Sequence, residues 1–172
     1  DLGAQGASAE VMALAEMLEA PVVAFRRGHG VLDARHRLAI NLPIAHRLWP
    51  DTDVVLAIGT RLHWPQAIWG LDAGIKIVRI DVDPETPDRF RKASAALIGD
   101  ARDQTAALLD ALPRHNRKRV RRDDDLAPHR AWLTQRLSKF EPQMSYLRAM
   151  RAALPEPGIF VDRKSTRLNS SH

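Results

Sequence analysis

Four short, nearly continuous apolar runs, with helix-forming stretches between them, constrain this chain more than any other feature. They are residues 21–25 (PVVAF), 53–58 (DVVLAI), 75–80 (IKIVRI) and 96–98 (ALI). Short runs of this kind, rich in branched side chains, are the pattern of strands covered on both faces in a parallel sheet. Each ends in polar or glycine-containing residues. Ahead of the first run, Val11, Leu14, Ala15 and Leu18 recur at i, i+3, i+4 and i+7, one apolar helix face, with Ser8 as its expected N-cap and Pro21 as its stop. After the last run, Asp100 is placed to cap a helix carrying Leu108, Leu109 and Leu112 and stopped by Pro113, with Asp103 as a short form of the capping-box acid. The alternation predicts an α/β fold on a doubly wound parallel sheet, whose ligands lie outside the carboxyl ends of the strands.

Residues 114–126 break the pattern. Arg114, Arg117, Lys118, Arg119, Arg121 and Arg122 meet Asp123, Asp124 and Asp125 with no apolar period, as expected of a solvated linker at a domain boundary. Beyond it, Trp132, Leu133, Arg136, Leu137 and Phe140 predict a helix over 128–140, Met144 opens a second amphipathic helix over 144–154, and 158–162 starts a strand. The expected organisation is a first domain over 1–113, a linker over 114–126 and the opening of a second domain over 127–162. The stretch from Asp162 to His172, DRKSTRLNSSH, has no apolar period and resembles the translation of a sequencing adapter, so 163–172 is set aside from functional reasoning. A start at Asp1, without a signal-like segment, leads us to expect that the true beginning lies upstream.

Composition excludes several function classes. The net charge of +5 is accounted for by the tail and by 114–126, so no basic face is expected on the folded body. Nucleic-acid binding survives only as an alternative acting through 114–122, where affinity would fall with salt. No apolar run approaches the roughly 18 residues of a membrane span. Absence of cysteine removes disulfides, thiolate catalysis and cysteine-ligated metals, and fits the cytoplasm. The seven histidines lack metal-ligand spacing, and no nucleophile elbow or P-loop is present. Trp49, Trp64, Trp69 and Trp132, not interleaved with basic residues, are read as packing.

Four places could meet a ligand. Gly3 and Gly6, ahead of the first helix, would leave backbone N–H groups open to an anion, or simply form a tight turn. Gly59-Thr60-Arg61 leaves the most apolar strand through a glycine that admits close approach and carries a guanidinium, or is a plain turn. Asp81 and Asp83 end the next strand, where carboxylates can hold ribose hydroxyls or cap the turn at Pro84. Asp100 and Ala101 start the last helix, with a cap as the simplest role. Arg26 and Arg27 after the first strand leave open an alternative, a stand-alone NADP-binding module.

The ordered set GAQGAS, EMLEAPVVAF, GHGVLDARHRL, DVVLAIGTRL, KIVRIDVDPE and LIGDA, spread over residues 1–113, resembles the central domain of thiamine-diphosphate-dependent enzymes such as acetolactate synthase and benzoylformate decarboxylase. The later EPQMSYLRAMRAALPEPGIFVD resembles the entry into their pyrophosphate-binding domain. The resemblance implies a DHS-like fold that holds FAD in some members and ADP or nothing in others. By position Gly3, Gly6, Gly59, Thr60, Arg61, Asp81, Asp83, Asp100 and Ala101 would line that site. It implies a parent enzyme, a homodimer or homotetramer, that acts on a 2-oxo acid with thiamine diphosphate and Mg2+. The activating glutamate and the magnesium motif of such enzymes match nothing in this chain, so no catalytic residue is expected here. After Arg61, the sequence Leu62-His63-Trp64-Pro65 replaces the arginine- and aspartate-rich stretch of true acetolactate synthases, so ADP or an empty site is expected as readily as FAD.

Overall fold

A computed structural model of the chain describes residues 6–25, 28–70, 74–88, 91–117, 119–155 and 158. The chain forms two units, Asp1–Leu133 and Thr134–His172. The first holds helix α1 (Ser8–Leu18), strands β1 (Val22–Val23) and β2 (Ala39–Ile40), helix α2 (Leu42–Leu48), strands β3 (Val54–Ile58), β4 (Lys76–Asp81) and β5 (Ala95–Ile98), helix α3 (Ala101–Ala111) and most of α4 (Asp123–Leu137). All pairing is parallel, as the α/β reading requires. In the three-stranded sheet β3-β4-β5, Ile58 lies opposite Ile80 and Asp81 opposite Ile98. β1 pairs with β2, Val22 opposite Ala39, as a separate ladder. Among the described residues no helix is long and apolar enough to cross a membrane.

Coverage on both faces, expected of every strand, holds only for β4, the central one. Its Ile77, Arg79 and Ile80 are buried, whereas Val54 of β3 and Ile98 of β5 are exposed. One apolar cluster gathers Trp49, Ala57, Leu62, Ile75 and Ile77; the Trp49 indole N–H donates to the Gly70 carbonyl at 2.7 Å beside it. A second joins Ala7, Val11, Val31 and Ala101, with Val22, Ala24 and Ile58 packed against it. The third holds Ala15, Leu38 and Leu126.

Helix ends follow local chemistry with one correction. The N-cap of α1 is Ala7, without a side-chain hydrogen bond, and Ser8 is the first helical residue. Ala7 is fully buried in the second cluster, so packing rather than a hydroxyl fixes the entry. α1 stops at Glu19, in the left-handed region at φ 49°, a conformation costly for a residue with a Cβ. Its carboxylate accepts two hydrogen bonds from Arg37, both 2.6 Å, which fasten the residue in place. α3 behaves as expected: Asp100 Oδ1 accepts the N–H groups of Arg102 and Asp103 at 2.8 and 3.4 Å.

The stretch expected as a solvated linker belongs to the first unit and packs, in part, on its earlier residues. Asn116 Nδ2 donates to the Met17 carbonyl at 3.1 Å, and the Arg122 N–H to Glu19 Oε2 at 3.4 Å. α4 begins at Asp123, five residues before the expected start, and its Leu126 is completely buried. Arg130 then donates to the Arg37 carbonyl. One buried leucine among charges leaves no periodic trace, which is why the sequence pattern hid this arm. In the second unit a 3-10 turn at Ser138–Phe140 precedes helix α5 (Gln143–Ala153), close to the expected 144–154. Glu141 accepts from the Ser145 N–H (3.0 Å) and hydroxyl (2.6 Å), and these bonds with Arg148 hold its carboxyl below the usual range. Gly158 is not in a strand, and the rest of the expected strand at 158–162, with residues 163–172, lies outside the described residues.

Candidate functional site

The carboxyl ends of β3, β4 and β5 form one continuous edge. Hydrogen bonding runs a residue past the strands: the Gly59 N–H donates to the Ile80 carbonyl at 2.8 Å and the Gly99 N–H to the Asp81 carbonyl at 3.0 Å. Gly59, Asp81 and Gly99 therefore stand side by side. Behind them, the cluster uniting Ala7, Val31, Ala101 and Ile58 brings the first turns of α1 and α3 to the same end of the sheet. Glu10 of α1 and Arg102 of α3 pair there at 3.0 Å.

The turn leaving β3 is held from within. Gly59 has φ 57°, a conformation open to glycine at little cost. Arg79, fully buried on β4, donates to the Thr60 carbonyl at 3.0 Å and the Arg61 carbonyl at 3.4 Å. Gln66 donates to the Leu62 carbonyl at 3.2 Å, and Thr60 Oγ1 accepts the Leu62 N–H at 3.2 Å. Leu62 itself is left-handed, φ 51°, with its side chain buried in the first cluster. Burial lowers the pKa of Arg79, and the charge of nearby Asp81 opposes that shift. An arginine cannot lose its proton on this account, so the cation stays.

The sequence-derived residues divide by what holds them. Gly6, φ 71°, lies immediately ahead of α1, whose N-terminus carries no side-chain cap. Gly59, Thr60, Arg61 and Asp81 lie along the edge, with Arg61 exposed. Asp81 Oδ1 accepts the Asp83 N–H at 3.0 Å, which closes a local turn. Asp83 serves that turn further, accepting the Glu85 N–H at 2.9 Å and the Thr86 hydroxyl at 3.2 Å. Asp100 is committed to capping α3, and Ala101 is buried beneath it. Gly3, Arg26 and Arg27 lie outside the described residues. Sequence reasoning missed Arg79 and Gln66. For Arg79 a signal existed: a charged residue at strand spacing from apolar Ile77, inside a run read as covered on both faces.

Among the described residues no three or more histidine, aspartate or glutamate side chains converge as a metal-binding group. Along this edge lie the N–H groups at the start of α1, which have no side-chain cap, the glycine exit from β3 and a carboxylate at the end of β4.

Residues 1–112 match the central domain of the thiamine pyrophosphate enzymes. Among curated relatives, "Probable 2-ketoarginine decarboxylase AruI" of Pseudomonas aeruginosa is 30% identical over 160 residues, covering 88% of this chain and 27% of that protein. "Probable acetolactate synthase large subunit" of Methanocaldococcus jannaschii is 31% identical over 117 residues, 62% of this chain and 20% of that protein. "Acetolactate synthase" of Arthrospira platensis is 27% identical over 124 residues, 66% and 21% respectively. The chain thus spans about a quarter or less of the length of these relatives.

Proposed function

The chain belongs to the thiamine pyrophosphate enzymes, and from that premise we propose that the whole protein makes or breaks a carbon-carbon bond beside the carbonyl of a 2-oxo acid, with this chain as a nucleotide-binding scaffold that carries no reacting group. Thiamine diphosphate, when bound, supplies the electron sink for such chemistry. The substrate class is supported by the relatives' names, one of which is a decarboxylase of a 2-keto acid. The scaffold role rests on one observation, the common edge formed by Gly59, Asp81 and the first turns of α1 and α3.

At that edge the α1 N-terminus and Arg61 would face the phosphates, and Asp81 the ribose hydroxyls. Asp83, Asp100 and Ala101 shape the edge from their turn and cap positions. FAD and ADP both suit this arrangement. Titrating FAD, ADP and NADP into the wild type, Arg61→Ala and Asp81→Ala tests it. Each lost charged contact is expected to weaken binding by about 1.5–3 kcal/mol. Unchanged affinity in both variants refutes the location, and preference for NADP over ADP refutes the ligand class.

A further inference from the structure

Arg79 is the largest fully buried side chain among the described residues, and it lies within β4, where an apolar side chain of similar volume would be easier to bury. Its two terminal nitrogens reach successive carbonyls of one turn, those of Thr60 and Arg61. Its Nε is buried without a hydrogen-bond partner. Among the described residues no carboxylate comes within ion-pair distance of the guanidinium; Asp81 acts on it only from further away. The cation therefore contributes something other than ion pairing.

Two physical consequences follow for the turn. With the carbonyls of Thr60, Arg61 and Leu62 bonded to Arg79 and Gln66, an anion arriving at the edge meets fewer carbonyl oxygens. A positive charge without a paired carboxylate also lies directly beneath the backbone that the anion would approach, in surroundings that screen it weakly. We propose that Arg79 is a positioning residue, which presets the Gly59–Leu62 turn and places charge under it for the phosphate end of an adenine nucleotide. This rests on the nucleotide-site reading above.

The test uses the whole chain, with ADP as the probe, in wild type, Arg79→Met and Arg79→Lys. ADP affinity is measured by calorimetry and backbone amide exchange is followed over 60–62 without ligand. Arg79→Met is expected to speed exchange in the turn and to weaken ADP binding at least about tenfold, because the turn is no longer preset and the charge beneath it is gone. Arg79→Lys, which keeps the charge and can reach one carbonyl, is expected to recover most of that affinity, a rescue that a purely space-filling role would not give. ADP affinity in Arg79→Met within about twofold of wild type overturns the proposal, as does exchange unchanged over 60–62. If wild type does not bind ADP, the nucleotide-site reading fails, and the phosphate role falls with it; faster exchange in Arg79→Met then upholds only the hold on the turn. Should Arg79→Met not fold, Arg79→Gln, which keeps a polar side chain without the charge, takes its place: ADP affinity within about twofold of wild type overturns the proposal, and a loss of about tenfold that Arg79→Lys recovers upholds it.

Discussion

Leu126→Ala removes three carbons from a side chain that is completely buried against Ala15 and Leu38, with Val22, Ile40 and Leu48 at its margin. At ~0.8 kcal/mol for each methylene-sized group, the lost transfer energy alone is about 2.4 kcal/mol. A partly collapsed cavity between a helix and a strand adds to that, and brings the expected cost to about 3 kcal/mol, within the range of ~2.7–5.0 kcal/mol seen for such truncations. A domain of this size loses roughly 3 °C in Tm per kcal/mol, so the midpoint should fall by about 9 °C. Guanidinium unfolding followed by tryptophan fluorescence, with an unchanged m-value, gives the free energy directly. Val120→Ala is the control. Val120 belongs to the same charged stretch but is 87% exposed, and its truncation should stay within about 0.5 kcal/mol of wild type. If Leu126→Ala costs no more than Val120→Ala, the stretch is the solvated linker its charges suggest, and the packing of Leu126 on Ala15 and Leu38 is wrong.

Glu19 gives a pH prediction. The Arg37 hydrogen bond holds its carboxyl below the ordinary range, against the opposing effect of burial, so it contributes stability that is full above the unfolded value of about 4.3 and is lost as pH falls through the lower folded value. Wild type and Glu19→Gln should therefore differ most near neutrality and converge in acid unfolding; a gap independent of pH refutes the pair. Incubated with thiamine diphosphate, Mg2+ and pyruvate or other 2-oxo acids, the chain alone is expected to show no turnover, and activity above the cofactor blank would overturn its role as a scaffold.

What could be read from the sequence was what repeats or has one dominant cause. β3 and β4 announced themselves as apolar runs, and Asp100 as a cap, because one residue type in one position does the work. β2, two residues long, is too short to carry a period, and its place depends on pairing with β1. The start of α1 was misread because burial of Ala7, a tertiary effect, replaces the hydroxyl cap that Ser8 suggested. The carboxyl edge was legible as a place, because the apolar runs of β3 and β4 end at Gly59 and Asp81. Its inner support was not: Arg79 acts through carbonyls 18 and 19 residues away, and only coordinates bring those together.

The arm formed by Asn116, Arg122 and Leu126 closes on Ala15, Met17, Glu19 and Leu38, with Arg122 a sequence separation of 103 from its contact Glu19. On a ribosome adding about 5–20 residues per second, Ala15 and Leu38 wait roughly 5–20 s for the leucine that covers them. Until then Ala15 and Leu38 lack that cover, and the end of the first helix is held by Arg37 and by the backbone bonds of Glu19 and Ala20. The end of the first helix is thus sealed only once α4 has been made, and that interval is when a nascent-chain chaperone would find most to hold there.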